Sequence, residues 1–170
     1  MTQISAGRTP ATDEIAPPAE TASERRLVRR VAALWVSRCA DGRFPRPREI
    51  NAELLGGDWP RCFILDVERS RNFPFFLHLG DDVRDYCGVL LSGEDDWRCT
   101  LLTKATERAP DVVRSGAPLP VEDVLTRFDG KKLAFRVILL PLSDRPDEAV
   151  THVLGAVSGR LFEPRETPAA

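Results

Sequence analysis

Only two histidines, His78 and His152, occur in 170 residues, and the four cysteines, Cys39, Cys62, Cys87 and Cys99, include no CxxC pair and no His at ligand spacing. A zinc site or a disulfide framework is therefore not expected. No GxGxxG and no P-loop is present, so the sequence writes no phosphate cradle. The acidic pairs Asp81-Asp82 and Asp95-Asp96 lack the alternating oxygen-ligand spacing of a calcium loop. No apolar run reaches membrane-spanning length, and Met1-Thr2-Gln3-Ile4-Ser5 opens no apolar h-region. These absences predict a soluble, cytoplasmic protein that does not insert into membranes. Lysine is nearly missing, with three among 24 basic residues. Such arginine bias is what GC-rich codons produce and points to a bacterial source. The net charge of −2 gives no ground for nucleic-acid binding.

A catalytic set is also missing. His78, next to Phe76 on an expected strand, reads as a half-buried residue with one satisfied nitrogen. Cys87 follows Asp85 and Tyr86 with no base in the local sequence, which makes it a structural thiol. No acid, base and nucleophile can be assembled, so an enzyme is not expected.

What is present is one domain with a change of period along it. Residues 1–22 mix Thr, Ala, Pro, Glu and Ser and read as a disordered arm, as do residues 163–170. In between, residues 23–162 form the folded unit. Leu27, Val28, Val31, Leu34 and Trp35 recur at helical spacing, with Arg25, Arg26, Arg29 and Arg30 on the other side. This predicts an amphipathic helix stopped at Gly42. Pro45 and Pro47 cannot continue it, and a second short helix is expected over Arg48–Leu55.

Cys62–Val67 is an apolar, β-branched run and predicts a buried strand; Phe73–Leu79 predicts its hairpin partner. Two or three short helices, broken at Gly88, Gly93 and Pro110, should fill Asp81–Arg114. Strands are then expected over Val121–Phe128, Leu133–Leu142 and Ala149–Ser158, with a turn at Asp129-Gly130. Two strands, a block of helices and three strands give an α+β class with an antiparallel sheet.

That order resembles the PAS fold, and more narrowly a bacterial family of short, stand-alone PAS-like proteins. The resemblance rests on Leu34-Trp35, Pro45-Arg46-Pro47-Arg48-Glu49-Ile50, Phe63-Ile64-Leu65-Asp66-Val67, Leu79-Gly80, Leu139-Leu140-Pro141-Leu142-Ser143 and Val153-Leu154-Gly155-Ala156. It spans about residues 27 to 160, and its weight lies in order and spacing. It implies a five-stranded antiparallel sheet with the first two strands at centre and edge, helices over one face, and the N-terminal amphipathic helix. It also implies a signalling domain acting as an accessory regulator, with no output domain of its own. Light-sensing flavin members carry Cys in an Asn-Cys-Arg type segment, which Tyr86-Cys87-Gly88 does not match. Haem members take an axial His from the helical block, where this chain has none. The cofactor is thus unknown.

Two readings remain open: a sensor with a small-molecule pocket, or a protein-interaction adaptor with a filled core. The pocket is expected between sheet and helices, lined by Phe75, Phe76, Leu77, Leu90, Trp97, Leu101, Val137 and Leu139. Strict alternation should turn Phe73, Phe75, Leu77 and Leu79 towards it. The expected partners are a signalling protein and a second copy of the chain. The homodimer should form through Leu27, Val31, Leu34 and Trp35, an apolar stripe longer than the small core needs.

Overall fold

A computed structural model of the protein describes residues 22–70, 73–88 and 100–163. Almost all of the expected arm and tail, with Leu90 and Trp97, lies outside these residues. Helix α1 (Ala22–Arg38) ends before Asp41-Gly42, where both residues take positive φ and Arg43 N–H donates to the Ala40 carbonyl. A 3-10 turn (Pro47–Glu49), α2 (Ala52–Leu55) and a second 3-10 stretch (Gly56–Arg61) lead into β1 (Cys62–Asp66) and β2 (Phe75–Leu79). Helices α3 (Asp81–Cys87), α4 (Leu101–Thr106) and α5 (Ala109–Ser115) follow, then β3 (Leu119–Thr126), β4 (Lys132–Leu142) and β5 (His152–Phe162).

Pro110 does not break a helix as expected. It sits in the first turn of α5, where a missing N–H costs nothing. The β3–β4 connection runs through Gly130 at φ 80, closed by Arg127 N–H to the Lys131 carbonyl at 2.9 Å.

The five strands form one antiparallel sheet in the order β2-β1-β5-β4-β3. The first strand is internal and the second is at the edge, so the sheet has the PAS-like arrangement and the α+β class holds. Helices, however, cover both faces and not one. Phe63, Leu65, Phe135, Val137, Leu139, Val153 and Val157 meet α3, α4 and α5 on one side. Cys62, Ile64, Ile138, Leu140, Leu142, Leu154 and Ala156 meet α1, α2 and the 3-10 stretch on the other. β4 and β5 are therefore apolar at successive positions along much of their length, as strands buried on both faces must be.

This layering corrects the expected dimer stripe. Leu27, Val31 and Trp35 are buried within the chain, and Leu34 packs beside them. Trp35 Nε1–H also donates to the Pro141 carbonyl at 2.8 Å. The stripe is long because it covers the second sheet face, a demand hidden when only one face is assigned a core.

The alternation expected for β2 is corrected as well. Phe63 pairs with Leu79 and Ile64 with His78, but Leu65 pairs with Phe76, leaving Leu77 as an extra residue in a bulge. A bulge inverts the facing of everything beyond it. Phe76 and Leu79 thus share the helix side, with Phe76 edge-on to Phe63 at 5.7 Å between ring centres. Phe73, Phe75 and Leu77 are exposed.

Candidate functional site

Of the six described residues expected to line one pocket, four share one side of the sheet and Phe75 and Leu77 do not. Phe76, Leu101, Val137 and Leu139 share the helix-facing cluster, Phe75 carries the Arg69 guanidinium over its ring at 5.0 Å, and Leu77 opens onto the opposite face. A side chain lining a water-sized void keeps accessible surface. Leu101 and Val137 keep 0% and Leu139 1%, so protein atoms fill the space at these positions.

A flavin between sheet and helices finds no room at Leu101, Val137 and Leu139. Cys87 lies buried at the end of α3, with its thiol pushed up to about 11, chiefly by desolvation. Cys62 is pushed up to about 12 by burial and by the charge of Asp58, and its thiol donates to the Asp58 carbonyl at 3.3 Å. Neither is a ready thiolate. The histidines lie on strands, away from the helical block.

Among the described residues, open space includes two surface grooves, one on each side of β1. The first, of about 770 Å³, runs between the α4–α5 segment and the β1–β2 hairpin, lined by Leu65, Val67, Pro74, Ala109, Val113 and Val150. Phe73, 67% exposed, and Val113, 40% exposed, stand at its mouth. Its rim carries Glu68, Glu107 and Arg114. Glu68 is paired with Arg145 at 3.3 Å and Arg114 with Asp111 at 3.4 Å, while Glu107 has no ion pair among the described residues.

The second groove, of about 630 Å³, lies on the α1 side of the sheet and gathers both histidines with Trp59, Ile64, Arg46 and Arg48. The bulge in β2 puts His78 there, opposite Ile64. Its ring stacks on Trp59 at 3.5 Å and 9°, and its Nε2 lies 3.2 Å from the Trp59 carbonyl, which requires that nitrogen to carry the proton. Desolvation holds the His78 pKa below the usual histidine value, against that hydrogen bond, and the Arg84 charge adds to the lowering. His152 is buried, with Nδ1 2.8 Å from Thr151 Oγ1 and Nε2 3.6 Å from Asp66 Oδ2. Asp66 Oδ1 also accepts the N–H groups of Glu68 and Arg69.

Neither groove was legible beforehand. Trp59, in the Gly56-Gly57-Asp58-Trp59-Pro60 segment just before β1, is the available signal: a large aromatic among turn residues needs a surface to pack on, and here it is His78 of β2. Phe73-Pro74 marks the first groove in the same way.

The fold is thus an α+β domain with a PAS-like sheet, its two faces covered and a groove on each. No family model matches the chain, and neither does any curated protein. Among solved structures it is similar to a fungal LOV domain photoreceptor, at 18% identity, covering 78% of this chain and 91% of that one with a TM-score of 0.46. It is similar also to the blue-light photoreceptor Aureochrome1 LOV in its light state, at 14% identity, 65% and 88% coverage and a TM-score of 0.45. A third is the LOV domain of the blue-light activated histidine kinase of Erythrobacter litoralis, at 16% identity, 58% and 93% coverage and a TM-score of 0.42. Among the described residues no helix is long and apolar enough to cross a membrane.

Proposed function

We propose that this protein is a cytoplasmic, bacterial signalling adaptor that regulates by docking a partner protein in the groove between the α4–α5 segment and the β1–β2 hairpin. The observation that supports it is the pairing of a filled helix-facing core with an open apolar groove beside it. Side chains such as Val113, held exposed at the mouth of a concave apolar surface, gain most from being covered. The complementary partner is a segment with an apolar anchor and a basic residue, because Glu107 on the rim offers a carboxylate with no ion pair among the described residues. A homodimer belongs to this reading. With Leu27, Val31 and Trp35 used inside the chain, it has to be built from other surface.

Two measurements test it. Native mass spectrometry of protein purified from its source should show no stoichiometric small molecule held between the sheet and α3, α4 and α5. The full chain should capture a protein from the same source that Val113→Asp and Phe73→Ser both lose at unchanged melting temperature. Burying a charge or removing an aromatic anchor at a docking centre weakens binding by about tenfold or more. A metabolite retained at one per chain even after Arg46→Gln with Arg48→Gln, or capture indifferent to both substitutions, overturns the adaptor reading.

A further inference from the structure

The groove on the α1 side of β1 is a different chemical environment from the docking groove. Its floor is apolar: Ile50 and Ile64 are buried beneath it, and Leu77, the extra residue of the β2 bulge, stands exposed at its side. The stacked rings of Trp59 and His78 form a planar wall. Its volume, about 630 Å³, falls in the range of small-molecule sites.

The charges around it are uneven in a specific way. Arg30, Arg61, Arg69 and Arg145 each meet a carboxylate, respectively of Asp58, Asp82, Asp66 and Glu68. Arg46 and Arg48, both lining the groove, are in no ion pair among the described residues. The nearest acid in sequence, Glu49, turns its carboxylate to the Arg46 backbone N–H at 2.7 Å. Pro45 and Pro47 restrict the backbone on either side of Arg46, and Ser143 N–H donates to the Pro45 carbonyl at 3.2 Å, which ties the segment to the end of β4. Arg46 and Arg48 thus line the groove from a restricted stretch of chain, beside the apolar side chains of Ile50, Ile64 and Leu77. Among the described residues, Asp144 is the one exposed acid lining the groove.

We propose that this groove binds a small organic carboxylate, with its charge between Arg46 and Arg48 and its apolar body on Ile64, Leu77 and the Trp59–His78 stack. Guanidinium groups pair with a planar carboxylate through charge-assisted hydrogen bonds. The apolar floor excludes a bare inorganic anion as the best occupant, because burying Leu77 and Ile64 contributes only when the ligand brings its own apolar surface. The site does not depend on partner docking, since the two grooves open on opposite faces of β1.

The test is calorimetric titration of the full chain with benzoate and hexanoate, against benzamide, hexanamide and inorganic phosphate. Saturable binding of the carboxylates is expected, with the amides and phosphate weaker by about tenfold or more. Arg46→Gln with Arg48→Gln should lose the carboxylate by about tenfold or more, and Asp144→Asn should tighten it by removing a like charge. Val113→Asp, which tests the docking groove, should leave it unchanged, so either reading can fail alone. The proposal is overturned by equal binding of acid and amide, by phosphate binding as tightly as benzoate, or by carboxylate binding that survives loss of both arginines. It is overturned too if nothing saturates by about 10 mM, ten times a Kd of about 1 mM.

Discussion

The ring of Phe63 occupies the space in which a side chain on Gly155 would have to sit, and a Cβ there would overlap three ring carbons. The two residues face each other across the β1–β5 ladder, and the ring is held on its far side by Phe76. Phe63 is fully buried, so it has nowhere to retreat. Gly155→Ala should cost about 3 kcal/mol, the upper end of core overpacking. Gly57→Ala is the control, because nothing lies within 4 Å of its added methyl and its φ is not positive. Urea unfolding of both variants should show a lower midpoint for the first alone.

Leu101 begins α4, whose N-cap, Thr100, accepts the Thr103 N–H at 3.4 Å, and its side chain has no accessible surface. Leu101→Trp adds volume where none is free and should destabilise the fold by about 1 to 3 kcal/mol. Thermal and urea unfolding read the loss. An unchanged midpoint would reveal room on the helix side and return the sensor reading.

His78 supplies a pH dependence with a definite sign. Its folded pKa lies below the ordinary value, chiefly through desolvation, so the unfolded chain binds the proton more tightly. Stability from this group is fully present above about pH 6.5, the unfolded value, and falls as the pH drops through 6.5 towards the lowered folded pKa. Unfolding midpoints measured from pH 8 to about pH 5 should therefore decline more steeply for the wild type than for His78→Gln. Parallel curves would remove His78 as the cause.

The element order, the positions of four of the five strands and the first helix were readable because each has a clear period: 3.6 for Leu27, Val31 and Trp35, and a β-branched run for Cys62–Asp66. The five antiparallel strands and the edge position of β2 came with the resemblance and hold, while the central strand is β5 and not β1. What could not be read was which face each residue joins. In β2 one extra residue, Leu77, reverses the facing of everything beyond it, and no local pattern marks a bulge whose cause lies in pairing with β1. In β4 and β5 both faces are apolar, so alternation gives no side, and the second core under α1 went uncounted. The expected pocket departs from the structure for the same reason: strict alternation and one covered face turn Phe75 and Leu77 inward and leave α1 free, whereas both side chains are exposed and α1 is packed on the sheet. Both grooves depend on long-range packing that brings Trp59 to His78 and Val113 to Phe73, and neither pair is close in sequence.

The role of α1 gives the sharpest remaining test. Its apolar stripe packs on β4 and β5, in one cluster with Ile138, Leu140 and Leu154, so it belongs to the fold and not to an interface between copies. Trp35 contributes both burial and its hydrogen bond to the Pro141 carbonyl. Trp35→Ala removes a large ring from a filled site and leaves that carbonyl without its indole donor, and should cost about 3 to 5 kcal/mol. A chain beginning at Asp41 should unfold or aggregate, because the part of the second sheet face over β4 and β5 would be left in water. Val36, exposed on the outer side of the same helix, provides the contrast: Val36→Ser removes apolar surface that packs on nothing and should shift the unfolding midpoint little. Sedimentation velocity on folded Trp35→Ala should give the same association state as the wild type, while its unfolding midpoint falls. If the variant keeps its stability but changes its association state, the stripe is an interface after all, and the second sheet face must be covered by something other than this helix.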